Sequence, residues 1–372
     1  MENKITFIAK YPVGKKQQDG ASVRILEIDN IFSQHDRVYI ESFSFPIKTL
    51  IYTILKNLKH KLFFEPLYKN EKISSYRFIN KKRTKELFER AKIIYVESYG
   101  NLIMLPPEII KTYGHKMVFD FHGCAVEEAM FSNIEKWKID NLKYYEELAM
   151  HYIKNFVVVS MEMKNFYIQK YPSVQKSNFI YLPIFPNNGI TINNNKDTDK
   201  LSIIYSGRNY IWQNSELMMQ TIAKMVNSGK INNVEYTFLT PDVEYYTNLS
   251  KKYSVENYVK CRSISPDKLN EEYAKAHFGF ILRDNNFVNK VSCPTKLVEY
   301  MKSGIIPIVL QPEIGDFNKL GYKYILNEDL INGNIPTLEE QEVMRKINYN
   351  IIEKLNEQVK TSKQDLLDMV SI

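Results

Sequence analysis

The chain has 372 residues, 44% of them apolar and 25% charged, with a net charge of +7. That mix belongs to a soluble globular protein with room for two domains of ordinary size, and it excludes a disordered chain. No apolar run approaches the ~18 residues that a membrane-spanning helix needs, and the cysteines, Cys124, Cys261 and Cys293, show no C-x-x-C spacing, which argues against a disulfide framework or a zinc site.

The first residues, MENKITFIAKYP, lack the apolar core of a signal peptide and read as a strand, so the chain is expected to stay in the cytoplasm. SVRILEIDNIFSQH reads as a helix and VYIESFSF as a second strand. A basic region read as helical follows. Between Lys48 and Lys92 it holds 13 Lys/Arg against 4 Asp/Glu, a local balance of +9 that leaves the rest of the chain slightly acidic. Such a patch favours an anionic partner: lipid, nucleic acid or a phosphorylated substrate. In residues 47–62, Ile47, Leu50, Ile51, Ile54, Leu55, Leu58 and Leu62 recur at helical spacing, with Lys48, Lys56, Lys59 and Lys61 on the other face. A basic amphipathic helix of this kind can lie on an anionic bilayer, at the inner face of the plasma membrane, or its apolar face can cover the domain's own sheet. The region is part of no recognised nucleic-acid module, so nucleic acid is not expected as a partner.

KIIYVESYG and MVFDFHG continue as strands, residues 125–153 as a long helical segment, NFVVVS as a strand, MEMKNFYIQKY as a helix and NFIYLPI as a strand. This alternation predicts a parallel sheet covered by helices on both faces. The polar stretch 186–199 has the look of a linker. The pattern then restarts: LSIIYSG (strand), SELMMQTIAKMVNSG (helix), VEYTFLT (strand), a helix near 242–253, YVKC (strand), a helix near 266–276, HFGFILR (strand), a further helix, and IIPIVL (strand). The tail, 338–370, is helical in period and can pack back across the first domain. The expected organisation is a first α/β domain over 1–186, a linker over 187–199, a second α/β domain over 200–340 and a helical segment over 341–372. Ligands of open α/β sheets bind outside the carboxyl ends of the strands, so the cleft between two such domains is the default site.

The stretch 291–309, VSCPTKLVEYMKSGIIPIV, opens a helix with unusual polarity. Pro294 suits the first helical position, with Ser292 or Cys293 as N-cap. The free N–H groups beyond it, with the helix dipole, form an anion site, and the positive charge of Lys296 there opposes the dipole until an anion arrives. Thr295, Lys296, Glu299 and Ser303 share one face at 100° per residue, and Leu297, Val298 and Met301 share the buried one. Glu299 lies ~7.5 Å along the axis from Pro294, roughly the span from a diphosphate to the hydroxyls of its ribose, and a carboxylate accepts well from a diol. The same spacing also fits an ordinary capped helix in which Glu299 is solvated or pairs with Lys296.

The run PTKLVEYMKSGIIPIV resembles the donor-site helix of GT-B glycosyltransferases, those of glycosyltransferase family four in particular. LSIIYSGRNYIWQN is similar to the first strand of that family's donor domain, VFDFHGCAVEE to its Asp-x-His-Gly segment, and KYPVGKKQQDGASVR to its Gly-containing first loop. The resemblance implies a GT-B architecture: two Rossmann-like domains facing each other across a cleft, with a C-terminal helix packing back on the first. It implies a glycosyltransferase moving a sugar from a nucleotide-diphosphate sugar to a glycan or lipid-linked acceptor in bacterial surface polysaccharide synthesis, with retention and without a metal or other cofactor. By the same resemblance Glu299 would bind the ribose, Gly207-Arg208 and Lys296 the diphosphate, and His122 would face the donor sugar. Gly20 would admit close backbone approach, and the loop of Ser263 and Ile264 would meet the nucleobase. The family's E-x7-E has Val291 at its first glutamate, for which Asp284 or Asn289 is the expected substitute toward the sugar. The family's phosphate lysine is replaced by Gln213, for which Lys296 is the expected substitute, with Arg283 or Lys290 behind it. Glu127 and Glu128 begin a helix and either favour its dipole or bind acceptor. The D-x-D of Asp197 and Asp199 falls in the linker, so no metal is expected. A sugar-nucleotide epimerase of the same fold and a non-catalytic donor-binding subunit are the alternatives.

Overall fold

The computed structural model describes residues 4–13, 20–42, 66–78, 81–184, 196, 200–230 and 233–371. The amphipathic stretch 47–62 lies outside the described residues, as does the linker apart from Lys196. Contacts divide the chain into two units, one of Met1–Leu182 with Val359–Ile372 and one of Pro183–Gln358.

The first unit is built on eight strands: β1 (Lys4–Ile8), β2 (Asp36–Ser42), β3 (Tyr68–Lys69), β4 (Ile73–Phe78), β5 (Ala91–Glu97), β6 (Met117–Phe121), β7 (Asn155–Val158) and β8 (Asn178–Tyr181). Their order is β3-β4-β2-β1-β5-β6-β7-β8. All neighbours are parallel except β3 and β4. The central strands are nearly continuous apolar runs because helices cover both faces; all of β6 is buried. The chain runs outward from β1 in one direction through β2 and in the other through β5. The carboxyl ends of β1 and β5 therefore flank a topological switch point, and Glu97 closes β5 there.

Two local expectations are corrected. Residues 68–78 are an antiparallel strand pair rather than part of a helical region. The Asn70 side chain accepts from the N–H groups of Lys72 (2.9 Å) and Ile73 (2.6 Å), which turns the chain back on itself. The helical segment 125–153 is two helices, Ala125–Phe131 and Lys136–Tyr152. Asn133, at φ 50°, takes the left-handed conformation between them, and Ile134 N–H bonds back to Ala129.

The second unit carries β9 (Leu201–Ser206), β10 (Val234–Leu239), β11 (Val259–Arg262), β12 (Phe278–Ile281), β13 (Ile306–Val309) and β14 (Ile325–Leu326). They form one parallel sheet in the order β11-β10-β9-β12-β13-β14. Its core joins Ile203, Tyr205, Phe238, Tyr246, Phe278 and Phe280. The switch point lies between β9 and β12, whose carboxyl ends lead into Gly207-Arg208 and Leu282-Arg283.

The helix Leu338–Ser371 begins in the second unit and ends in the first. At its start Asn348 bonds both the N–H (2.7 Å) and the C=O (2.8 Å) of Lys323. At its end Ser362 donates to the Tyr181 carbonyl and Lys92 to that of Val370 (3.0 Å). Among the described residues no helix is long and apolar enough to cross a membrane.

Candidate functional site

At the carboxyl end of β9 the chain turns at Gly207, with φ 137°, a conformation that side chains resist. A Cβ at this position would lie 2.7 Å from Lys296 Nζ, so the lysine tip rests on the glycine backbone. Lys296 Nζ also donates to Gln213 Oε1 (3.2 Å) and stands 4.1 Å from the centroid of the Tyr205 ring. The Lys296 amine therefore sits against the Gln213 side chain, 83 residues away in the sequence. Burial, and then the Arg283 guanidinium, push the Lys296 pKa down to about 7, while Glu299 acts the other way. Arg208 is exposed beside this turn, and its carbonyl accepts from Tyr205 Oη (2.8 Å).

The helix that carries Lys296 runs from Thr295 to Lys302, with Pro294 as its N-cap. This shifts the expected start by one residue. Ser292 is not its N-cap but the C-cap of the short helix Phe287–Val291, where its hydroxyl donates to Asn289 O (2.9 Å). Cys293 precedes a proline, which disfavours helical backbone there. Leu297, Val298 and Met301 are buried, Thr295 is exposed, and Lys296 and Glu299 are half-buried on the polar face. Glu299 Oε2 accepts from Tyr273 Oη (2.9 Å), and burial raises its pKa against the pull of Tyr273 and Lys296.

The remaining predicted residues of this unit are placed as follows. Asn289 is buried, its amide donating to Asp284 O (2.9 Å) and accepting from Arg283 (3.2 Å). Arg283 also reaches Ser292 Oγ (3.4 Å). Asp284 is exposed and accepts from Asn214 (2.9 Å). Ser263 and Ile264 lie in the loop that leaves β11. Lys290 is exposed. The structure thus brings Gly207, Gln213 and Lys296 together, with Glu299 one turn along the helix. Sequence reasoning missed Tyr205 and Tyr273, whose contacts with Lys296 and Glu299 join residues distant in the chain and leave no local signal.

In the first unit His122 follows β6. Its Nδ1 lies 3.3 Å from Glu97 Oε1 and its Nε2 3.5 Å from Asp120 Oδ2. Burial works against a charged imidazole, but Asp120 and then Glu97 outweigh it and raise the His122 pKa. Asp120 is fully buried and held by Arg24 (3.2 and 3.3 Å) and Tyr95 Oη (2.6 Å). Arg24 also bonds Leu182 O (3.1 Å). Burial alone would raise the Asp120 pKa; Arg24 and His122 hold it well below the usual carboxylate range. Glu97 takes hydrogen bonds from Ser98 (3.3 Å) and Asn101 (2.5 Å), and burial raises its pKa. A charge ending the apolar run IIYVE was the available sign of Glu97. Glu127 pairs with Lys170 (2.7 Å), which also bonds the buried Glu146. Glu128 folds over Gly123, where a Cβ would lie 2.1 Å from its Oε1. Gly20 is the first residue of the helix Gly20–Ile31 rather than part of a loop. Among the described residues no group of three or more His, Cys, Asp or Glu side chains could hold a metal ion, and Asp197 and Asp199 lie outside them.

No protein-family model matches the sequence, and no curated protein matches it significantly. Solved structures match over nearly the whole chain. Sucrose-phosphate synthase from Thermosynechococcus elongatus shares 12% identity at a TM-score of 0.64, covering 99% of this chain and 98% of its own. The E. coli trehalose-6-phosphate protein bound with UDP-2-fluoro glucose shares 10% identity at 0.59, covering 99% of each chain. WaaG, a glycosyltransferase involved in lipopolysaccharide biosynthesis, shares 11% at 0.57, again covering 99% of each. Two parallel-sheet α/β units and this likeness establish the GT-B fold for the chain.

Proposed function

We propose that this protein is a glycosyltransferase that takes a sugar from a nucleotide-diphosphate sugar and passes it to a glycan or lipid-linked acceptor in bacterial surface polysaccharide synthesis. The observation that carries this reading is the placement of Lys296 on the Gly207 turn, at a sheet switch point, with the Glu299 carboxylate one turn along the same helix. A diphosphate at the helix start meets Lys296, Arg208 and free backbone N–H groups, and a ribose further along meets Glu299. As the sugar leaves, negative charge grows on the β-phosphate, and protonated Lys296, held by Gln213, stabilises it together with Arg208. On this reading the reaction needs no metal and retains anomeric configuration, the departing phosphate helping to take the acceptor proton. His122 is the polar group of the first unit proposed to meet the donor sugar. UDP-2-fluoro glucose bound to one protein of this fold, and UDP with GlcNAc bound to the pneumococcal O-GlcNAc transferase GtfA, support the donor class. The balance of +9 between Lys48 and Lys92 supports peripheral contact with an anionic membrane, and with it a cytoplasmic place at the membrane's inner face.

A thermal-shift screen of nucleoside diphosphates and nucleotide sugars, followed by assay of released UDP or GDP with lipid-linked acceptor, tests the proposal. Stabilisation by one nucleotide family and its weakening in Glu299→Ala, with the fold intact, are expected. Stabilisation by no nucleotide would overturn the donor reading, and binding without acceptor-dependent release would point to a donor-binding subunit or an epimerase. Failure to bind anionic liposomes at low salt would remove the membrane contact.

A further inference from the structure

We propose that Tyr273 is the positioning residue that aims Glu299 at a ribose diol, and that it sets the preference for ribonucleotides over their dideoxy counterparts. The inference rests on the donor reading above. Tyr273 ends the short helix Leu269–Tyr273 and is buried to 1% exposure. Its phenol oxygen lies 2.5 Å from Ser206 Oγ and 2.9 Å from Glu299 Oε2. An ionised carboxylate only accepts hydrogen bonds, so the single phenol proton goes to Glu299. Ser206 must then donate to Tyr273, and the chain Ser206 to Tyr273 to Glu299 has one direction. Bonds aligned in this way polarise and strengthen one another.

The two ends of this chain matter. Ser206 is the last residue of β9, directly before the Gly207-Arg208 turn. Its N–H is already committed to Tyr300 Oη at 3.1 Å, and the Tyr300 ring lies where a Cβ on Gly279 would stand, 2.3 Å from Cε2. The serine is therefore held from both sides. At the other end Glu299 Oε2 is tied by this hydrogen bond, while Lys296 and Lys302 act on the carboxylate through their charge. A carboxylate on a rotatable stem would lose conformational freedom on gripping a diol; one already fixed at Oε2 loses less. The phenol thus ties the strand that leads to the phosphate turn to the carboxylate that receives the ribose, and keeps the two at one separation.

The test compares UDP and GDP with their 2′,3′-dideoxy forms and with inorganic pyrophosphate, by titration calorimetry, on the full chain. Wild type should favour the ribonucleotide. Tyr273→Phe keeps the ring and should weaken the ribonucleotide about tenfold, the scale of one hydrogen bond to a charged group. The dideoxy form and pyrophosphate should bind as before, so the discrimination ratio collapses. Ser206→Ala, which leaves Tyr273 in place but unanchored, should give a smaller loss of the same kind. Equal weakening of all ligands by Tyr273→Phe would mean a merely structural tyrosine, and an unchanged ratio would also overturn the inference. Collapse of the ratio in Glu299→Ala but not in Tyr273→Phe would sink this inference alone. Wild type that binds none of the ligands would sink the donor reading and this inference with it.

Discussion

Gly207→Ala isolates the contact on which the site depends. At φ 137° an alanine is strained by ~1–3 kcal/mol. For a unit of this size that is roughly a 2–12 °C loss in Tm. The new Cβ would also lie 2.7 Å from Lys296 Nζ, closer than real contacts allow, and a tight 3.1 Å from its Cε. The backbone cannot yield easily, because Gly207 N–H is bonded to Leu239 O at 2.9 Å. The lysine tip is flexible and moves instead, leaving Gln213 and the Tyr205 ring. A displaced charged hydrogen bond is worth ~1.5–3 kcal/mol, so nucleotide affinity should fall roughly 10- to 150-fold. Gly229→Ala is the control: φ is 60° there, but nothing lies within 4 Å of the added Cβ. It should cost ~1–2 kcal/mol of stability and no affinity. Thermal melts measure the first quantity and nucleotide titrations the second. The double variant Gly207→Ala, Lys296→Met closes a cycle. If the alanine acts through the lysine, adding it to Lys296→Met should cost no further affinity. Fully additive losses, or wild-type affinity in Gly207→Ala, would refute the reasoning.

Two predictions concern pH. With Lys296 depressed to about 7, affinity for a nucleotide sugar, whose diphosphate does not titrate near neutrality, should be flat below that pH and fall about tenfold per unit above it until the bound-state pKa is reached. Lys296→Met should abolish the slope, and a flat wild-type profile between pH 6.5 and 8.5 would contradict the depressed value. His122 has a raised pKa in the folded state, so its contribution to stability is complete below the unfolded value of about 6.5 and is lost as pH rises through the folded one. Melting temperatures measured across that window should decline less in Glu97→Gln than in wild type; identical slopes would show that Glu97 does not hold the imidazolium.

The alternation of strands and helices was readable because buried parallel strands are apolar runs, as in all four residues of β12 and of β13. The helix Thr295–Lys302 was readable face by face, since Leu297, Val298 and Met301 recur at its period and are buried. Its start was misplaced by one residue because Ser292 caps the end of the previous helix rather than the start of this one, with Asn289 and Arg283 as its partners. The pair β3 and β4 was hidden by the charges around it. Arg24 and Asp120 lie 96 residues apart, and Tyr273 and Glu299 26 apart. Each member looks ordinary in its own window, and only the fold closes the pair.

The helix Leu338–Ser371 changes how the chain must be regarded as a product of synthesis. Because its end belongs to the first unit, the second unit is an insertion within the first rather than a successor to it. Domains commonly fold in order as they leave the ribosome. Here the first sheet waits for residues made only after the whole second unit: β8 receives Ser362 at Tyr181, and the start of β5 receives Val370 through Lys92. A fragment ending at Leu182 would keep every strand of its sheet and still lack the segment that finishes it.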